Sequence, residues 1–321
     1  MQKLKILFTS VGRRVELMEA FRAAAKQLAI DLEIWGADIT ETAPALFFCD
    51  KKVQVCRIRD ERYIPQLIAL CKQEKMTAVV PTIDTDLLLL SQNVEKFEEI
   101  GVKVIISAED KIQICRDKRL TAKYFQSLGL NSPMAIDNYR LYDGGFPAFI
   151  KPKDGSSSIF AYRVNDQKEL LSFTKQVPDY IIQPFIEGNE YTIDIFCDFI
   201  GNPIYITPRE RLAVRAGEVL KTKICADETM VEEIRRLLED FKPCGAITVQ
   251  LIKQKESNKN FYIEINPRFG GGAPLSMKAG ANSAEALLKL LCGEKIEYYH
   301  NAAEDGAIYC RFDQSIRVDK W

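Results

Sequence analysis

One short segment of the chain combines oxygen-donor side chains with an arginine. Glu264, Asn266 and Arg268 alternate along a β-rich run, so we expect their side chains on one face of a strand. Gln250 lies in a second β-rich run, and the polar stretch between the runs predicts a hairpin that brings Gln250 beside Glu264 and Asn266. A carboxylate and two amide oxygens, with no cysteine or histidine among them, suit a hard cation such as Mg²⁺ that shares its coordination with phosphates.

Each of these residues alone also has a purely structural explanation. Glu264 and Arg268 would then form an exposed ion pair at a strand end, with Pro267 ending the ladder and residues 270–272 making a glycine turn. The set as a whole favours a ligand site, because three glycines leave the backbone bare enough for a ligand to approach the arginine.

A second candidate site follows an apolar run that ends at Lys151. The next loop is rich in small residues and contains Gly155, Ser156, Ser157 and Ser158. Backbone N–H groups of such a loop, together with a lysine, can hold a polyphosphate. The loop lacks the G-x-x-x-x-G-K-[ST] pattern of a P-loop, and most Gly/Ser loops are only turns.

A third candidate is the basic segment that contains Arg209, Arg211 and Arg215. Guanidinium groups bind carboxylate or phosphate through two parallel hydrogen bonds. A solvated charged loop is the commoner explanation of such a segment, so both interpretations stay open at this point.

The composition limits the classes of function. The 321 residues suffice for two or three lobes, and a net charge of −1 gives no electrostatic reason to expect nucleic acid. Nine scattered cysteines without a C-x-x-C pair indicate reduced thiols in the cytoplasm. No apolar run predicts a membrane span or a signal peptide. His300 is the only histidine, which argues against catalytic triads and histidine-rich metal sites, and we expect it at the surface or in packing.

The elements that position these residues begin with alternating strands and helices up to about residue 107. This pattern predicts an open, parallel α/β sheet that is covered on both faces. A dinucleotide fingerprint is missing, because Gly12 stands alone before Arg13 and Arg14. Two arginines at a helix start oppose the helix dipole, which is a hint of an anionic partner.

Further along the chain, the polar residues 82–86 are interpreted as the N-cap of a helix over 84–100. A second helix is predicted over residues 109–130. The run 179–185 is predicted to be an edge strand or to end at Pro184, which leaves backbone groups free to bind an adenine.

With these features in order, residues 117–272 resemble the ATP-grasp superfamily, and the whole chain is similar to one synthetase unit of a carbamoyl phosphate synthetase large subunit. The E-x-N-P-R motif, at its spacing from Gln250, is the most specific part of this resemblance. It implies an α/β fold in four parts: an N-terminal open parallel α/β domain (1–110), a helical connector (111–131), a small α+β lid (132–189) and a C-terminal α+β metal-binding subdomain (190–321).

The resemblance also implies an ATP site between the lid and the C-terminal subdomain. It assigns phosphate contacts to Lys118 and Lys151 and the lid loop to residues 155–158, with one glycine where several relatives have three or four.

Around the nucleoside, it places Gln183 near the adenine amino group, where many members have glutamate. Phe185 and Ile186 fall at the hinge beside the adenine, and Glu190 falls at the ribose.

Gln250, Glu264 and Asn266 match the metal ligands of the family, and a glutamine at the first position is similar to the carbamoyl phosphate synthetase pattern. The expected ions are Mg²⁺, two of them, with Mn²⁺ as an alternative. The implied reaction activates a carboxylate as an acyl phosphate, releases ADP and joins the acyl group to an amine, which we expect to be amino-acid-like. Arg211 and Arg215 are predicted to hold the acid and the acyl phosphate together with Arg268.

Two alternatives stay open. One is carbamoyl phosphate synthesis from bicarbonate and ammonia. The presence of a single synthetase unit without its tandem second half argues against it, unless two units form a homodimer. The other is a nucleotide-binding regulator without turnover. The complete set of metal ligands argues against it. The sequence does not identify the acid or the nucleophile.

Overall fold

The computed structural model describes residues 3–154 and 159–318. The predicted lid-loop residues Gly155, Ser156, Ser157 and Ser158 lie outside this description. The described chain forms three β-sheets with helices packed around them. The predicted α/β fold is therefore confirmed.

The first sheet is parallel throughout and has five strands. They are β1 (Lys3–Thr9), β2 (Asp31–Asp38), β3 (Lys51–Gln54), β4 (Ala78–Pro81) and β5 (Lys103–Val104), in the spatial order β3-β2-β1-β4-β5. Ile6 and Phe8 pack into one hydrophobic core and Leu7 packs into another, so successive residues of β1 face opposite sides. The sheet is thus covered on both faces, as predicted.

The helices around this sheet include two short ones in place of a single predicted helix. They are α1 (Val15–Gln27), α2 (Tyr63–Glu74), α3 (Leu87–Ser91) and α4 (Val94–Glu98), with a 3₁₀ helix at Pro44–Phe48. The single helix predicted over 84–100 is therefore wrong. It is interrupted near Asn93, whose side-chain amide donates to the carbonyl of Leu89 at 2.8 Å and so competes with the regular helical bonds.

The connector is also divided, into α5 (Glu109–Arg116) and α6 (Lys118–Ser127). Asp117 separates them in an extended conformation, and its side chain accepts the backbone N–H of Arg119 as an N-cap. The continuous helix predicted over 109–130 is wrong for this reason. Lys118 consequently occupies the first position of α6.

The small sheet is antiparallel and has the order β7-β6-β8. Its elements are β6 (Ala148–Pro152), β7 (Tyr162–Val164), α7 (Gln167–Phe173) and β8 (Tyr180–Pro184), with a 3₁₀ helix at Tyr139–Leu141 before them. β8 is an edge strand and ends at Pro184, which confirms the prediction. Its edge is partly occupied, because Ile182 exchanges two backbone hydrogen bonds with Ile136.

The large sheet is antiparallel and has six strands in the order β13-β12-β9-β10-β11-β14. Its strands and helices are β9 (Gly188–Cys197), β10 (Pro203–Arg215), β11 (Glu218–Ile224), α8 (Glu228–Phe241), β12 (Ala246–Gln254), β13 (Asn260–Asn266), α9 (Ala273–Lys278), α10 (Ser283–Leu291) and β14 (Ile308–Cys310). The segment that the sequence left open as a charged loop is in fact a hairpin, with Ala216 and Gly217 at positive φ in the turn. The solvated-loop interpretation is therefore wrong.

The first lobe and the large sheet share one hydrophobic core. The ring of Phe21 lies 4.9 Å from that of Phe8 and 5.8 Å from that of Phe269, and Phe269 stacks on Phe196 at 6.1 Å. Because Phe269 directly follows Arg268, this packing fixes the arginine against the first lobe. The division of the chain at residues 110, 131 and 189 stays a prediction.

Two expectations from composition are confirmed. All nine cysteines are free. His300 is exposed, and its Nε2 lies 3.2 Å from the carboxylate of Glu228. Within residues 3–154 and 159–318, the structure contains no helix that is both long and apolar enough for a membrane span.

Candidate active site

The β12–β13 hairpin brings the three oxygen donors together. Gln250 lies directly opposite Glu264 in the strand register, and Nδ2 of Asn266 donates to Oε1 of Glu264 at 2.7 Å. All three residues line a cavity of about 300 Å³ between the large sheet and the first lobe. The predicted juxtaposition of Gln250, Glu264 and Asn266 is therefore present in the fold.

Arg268 connects this hairpin to the first lobe. Its Nη2 donates to the carboxylate of Asp84 and, at 3.3 Å, to Oδ1 of Asn266. Asp84 belongs to the segment that was interpreted as a helix cap, and that interpretation is wrong. The N-cap position of α3 is Asp86, which makes no cap bond and instead accepts the hydroxyl groups of Thr9 and Ser10.

The three arginines of β10 have different surroundings. Arg209 is only 2% exposed and its Nε donates to Asp194 at 2.7 Å, while Arg211 donates to Oε1 of Gln250 at 2.9 Å. Both line the cavity. Arg215 is exposed and pairs with Asp313 at 2.9 Å, so the structure does not bring it to the predicted site.

The arginines of the cavity retain unused hydrogen-bond donors. Nη1 of Arg209, Nε of Arg211 and Nε of Arg268 are buried and have no hydrogen-bond partner within the described residues. Because buried polar groups in proteins are nearly always hydrogen-bonded, such donors indicate an anionic ligand.

Lys151 lies in β6 of the small sheet. It is 8% exposed, and burial together with the positive charge of Lys118 lowers its pKa to about 8, against the opposing effect of Glu264. The effects of Lys118 and Glu264 on this pKa indicate that both residues lie near Lys151. The backbone N–H of Lys118 donates to the carbonyl of Lys153 at 2.9 Å, which attaches α6 to the end of β6.

The residues predicted for the nucleoside lie outside the cavity lining. The side-chain amide of Gln183 donates to the carbonyl of Pro133 at 2.8 Å. Phe185 donates its backbone N–H to Pro147, and Ile186 is half-buried. Oε2 of Glu190 lies 3.5 Å from Nε of Arg211, so this acid faces the arginines of β10. Their roles toward adenine and ribose stay predictions.

Several cavity residues were not among the predicted site residues. Two of them, Arg14 and Glu218, lie at the first-lobe side of the cavity with their side chains 3.5 Å apart. The arginine pair at the start of α1 was a signal for Arg14, whereas no sequence pattern marked Glu218.

The donor set fits a hard cation that phosphates help to hold. Within the described chain no three His, Cys, Asp or Glu side chains form a complete metal site. Gln250, Glu264 and Asn266 offer one carboxylate and two amides, which leaves coordination positions for phosphate oxygens and water. They could bind Mg²⁺ only as partial ligands, as expected for a site that also holds a nucleotide.

Two family comparisons agree with this arrangement. Residues 6–105 match the family described as the PylC-like N-terminal domain. Residues 176–310 match the family described as ATP-grasp in the biosynthetic pathway with Ter operon. The second match includes β9 to β14 and hence every candidate metal ligand.

Individual relatives extend the comparison. The chain is 25% identical over 259 residues to a 3-methyl-D-ornithine–L-lysine ligase of Methanosarcina acetivorans, a match that covers 77% of this chain and 66% of the ligase. It is 22% identical over 230 residues to the carbamoyl phosphate synthase large chain of Acidobacterium capsulatum, covering 64% of this chain and 21% of that one. The chain thus spans slightly less than two thirds of the first relative and about a fifth of the second.

A solved structure shows the same fold. The biotin carboxylase domain of the Hydrogenobacter thermophilus 2-oxoglutarate carboxylase superposes with a TM-score of 0.77 at 17% identity, covering 97% of this chain and 75% of that one. That domain was crystallised with MgADP, ADP and bicarbonate.

Proposed function

Since the chain is a member of the ATP-grasp superfamily, we propose that it is an ATP-dependent ligase that joins a carboxylic acid to an amine. The γ-phosphoryl group of ATP is transferred to a carboxylate oxygen of the acid, and ADP leaves. The nitrogen of the amine then forms a bond to the acyl carbon, and inorganic phosphate leaves with the former carboxylate oxygen. The relative that acts as a 3-methyl-D-ornithine–L-lysine ligase supports an amino-acid-like amine.

One observation carries this proposal. The oxygen donors of the β12–β13 hairpin meet Arg209, Arg211 and Arg268 in one cavity, and within the described residues each of these arginines has a buried donor without a hydrogen-bond partner. An acyl phosphate needs metal-ligand oxygens, because the cation that they hold neutralises its negative charge. It also needs hydrogen-bond donors, because these hold its oxygens.

In this proposal, Lys118 and Lys151 contact the ATP phosphates, and Gln250, Glu264 and Asn266 contribute ligands to Mg²⁺. The metal, as one or two Mg²⁺ ions or as Mn²⁺, would neutralise phosphate charge during transfer.

On the acid side, Arg211 and Arg268 hold the carboxylate and its acyl phosphate. Arg215 has no part in it, because it pairs with Asp313 away from the cavity. Gln183, Phe185, Ile186 and Glu190 remain our candidates for the nucleoside, and mutation of each will test that assignment. We also propose a cytoplasmic location, in keeping with nine free cysteines, and leave a homodimer as an option.

Carbamoyl phosphate synthesis is a second candidate. The observation that favours it is the similarity to carbamoyl phosphate synthase large chains, together with glutamine at position 250. In that case bicarbonate is the carboxylate and ammonia the nucleophile of the first step, which gives carbamate, and a second ATP phosphorylates the carbamate. Turnover of any kind would exclude the third option, a regulator that binds nucleotide without reaction.

The test is ADP release from MgATP over a panel of amino acids and small acids, each with and without hydroxylamine. Hydroxylamine converts an acyl phosphate into a hydroxamate and so reports activation before the natural amine is known. We expect hydroxamate with at least one acid. Carbamoyl phosphate from bicarbonate and ammonia would support the second candidate, whereas no acid-dependent ADP release would refute both.

Glu264→Gln is the matching variant, with Glu256→Gln in the exposed turn of the same hairpin as control. We expect the first to reduce turnover by at least about 100-fold, because a metal ligand is lost, and to keep the circular dichroism of the wild type. Wild-type turnover in Glu264→Gln would contradict the metal assignment.

A further inference from the structure

Arg14 is a largely buried cation with little compensation. It follows β1, and its side chain is 19% exposed. Its guanidinium has one hydrogen-bond partner within the described residues, Glu218, at the long distance of 3.5 Å. Burial, and then the positive charge of Arg268, lower the pKa of Arg14, against the opposing effects of Glu218 and Asp84. Burying a guanidinium that has five N–H donors and only one long hydrogen bond costs folding free energy, unless a bound anion accepts hydrogen bonds from the remaining donors.

The fold places Arg14 where open α/β sheets bind ligands. β1 has β2 as one neighbour and β4 as the other, so the order in which consecutive strands are added reverses between β1 and β4, while all strands stay parallel. Ligands of such sheets bind in the crevice at the carboxyl ends of these two strands. Arg14 follows β1, Asp84 follows β4, and both line the cavity.

The anion is not a phosphate of ATP in the proposed arrangement. Glu264 affects the pKa of Lys151 and accepts a hydrogen bond from Asn266, and Asn266 accepts a hydrogen bond from Arg268. Arg14 is influenced by Arg268, and neither lysine is among the charges that shift its pKa. A group bound there belongs to a substrate that meets the acyl phosphate from the first lobe.

A carboxylate lies beside Arg14 and makes the site complementary to a zwitterion. Glu218 is half-exposed, and its contacts to Arg14 and Arg311 measure 3.5 and 3.3 Å. A Cβ on Gly271 would lie 2.3 Å from Oε2 of Glu218 and 2.5 Å from Nη1 of Arg14, so glycine keeps this pair accessible beside the backbone. A guanidinium next to an exposed carboxylate matches the carboxylate and ammonium of an amino acid.

We propose that Arg14 and Glu218 bind the carboxylate and the ammonium group of an α-amino acid that serves as the amine substrate, and that the bound ammonium releases a proton to solvent before its nitrogen attacks the acyl carbon. This inference rests on the proposed ligase function and specifies its second substrate. It assigns recognition of the nucleophile to Arg14 of the first lobe and Glu218 of the large sheet, and activation of the acid to Arg268 and the hairpin.

The test compares two nucleophiles in Arg14→Gln. The panel consists of the twenty common L-amino acids and D-alanine as amines, and hydroxylamine as the nucleophile without a carboxylate. We expect the KM for the accepted amino acid to rise at least about tenfold, because a charge-assisted bidentate contact is lost. Hydroxamate formation and the KM for ATP should stay within about twofold.

Arg13→Gln is the matched control, because the neighbouring Arg13 side chain is 83% exposed. It should leave all three quantities unchanged. Glu218→Gln should also raise the KM for the amino acid and spare hydroxamate formation. An equal loss of activity with the amino acid and with hydroxylamine in Arg14→Gln would overturn the inference. Unchanged activity with both nucleophiles would also overturn it.

Calorimetric titration of the same amino acids into the MgADP-bound protein separates this inference from the proposed function. Binding that is lost in Arg14→Gln and retained in Arg13→Gln supports the site even if no acid is activated. Acid-dependent hydroxamate formation without any amino-acid binding or coupling would refute the site and leave the ligase proposal intact.

Discussion

The depressed pKa of Lys151 predicts that binding of MgATP takes up a proton. Burial and the charge of Lys118 lower this pKa from 10.5 to about 8. A nucleotide phosphate placed beside the amine would favour its charged form and restore the pKa toward 10.5. We therefore expect uptake of about 0.1 proton per ATP at pH 7, about 0.5 at pH 8 and about 0.9 at pH 9, which are the neutral fractions of an amine of pKa 8.

The assay is isothermal titration of MgATP in buffers that differ in ionisation enthalpy. Lys151→Arg is the informative variant, because arginine retains the charge but does not titrate in this range. It should bind MgATP without this proton uptake. Lys168→Arg, at an exposed position of α7, is the matched control and should behave as the wild type. Equal proton uptake in the wild type and Lys151→Arg at pH 8 and pH 9 would refute the reasoning.

The same shift has a consequence for stability. Below pH 8 the folded protein contains a charged Lys151 amine, although burial disfavours this charge. The lowering of its pKa from 10.5 to about 8 corresponds to about 3 kcal/mol of folding free energy. The unfolded chain binds more protons than the fold between pH 8 and 10.5, so wild-type stability rises with pH in this window. Lys151→Met should be more stable than the wild type at pH 7, lose this rise with pH, and bind ATP weakly.

Three further predictions concern the free energy of unfolding, measured from urea titrations followed by circular dichroism. Asp194→Ala should cost about 3–5 kcal/mol, because it leaves the buried charge of Arg209 unpaired; a loss below 1 kcal/mol would contradict that pairing. Gly188→Ala should cost at least about 1–3 kcal/mol, because its Cβ would lie 2.2 Å from the carbonyl oxygen of Lys253 and force β9 from β12. Burial raises the pKa of Asp86 from 3.8 to about 6, so Asp86→Asn should be more stable than the wild type by up to about 3 kcal/mol above pH 6 and equal to it below pH 3.8; an unchanged difference across this window would exclude the shift.

The parts of the site that the sequence predicted are local. The β12–β13 hairpin follows from period-2 alternation over neighbouring runs, so the pairing of Gln250 with Glu264 could be inferred from the sequence alone. The contact of Arg268 with Asp84 joins residues 184 positions apart. No periodicity encodes such a contact, because it depends on how the first lobe packs on the large sheet.

The error at Arg215 has a specific structural cause. In a regular strand, Arg209, Arg211 and Arg215 would share one face. The pairing of β10 with β11 shifts register between Arg211 and Ala213 and again between Ala213 and Val214. Each irregularity interrupts the alternation, so the end of the strand turns away from the cavity. Only the pairing register contains this information.

Two pairs of like charges lie in and near the cavity. One pair is Lys118 and Lys151, and the other is Arg14 and Arg268. The charge of Lys118 lowers the pKa of Lys151, and the charge of Arg268 lowers the pKa of Arg14. An anion at either place relieves repulsion as well as forming new bonds, so nucleotide and amino acid should each stabilise the lobe to which they bind. Because Arg268 lies between the two places, an acyl phosphate formed there neutralises charge near both.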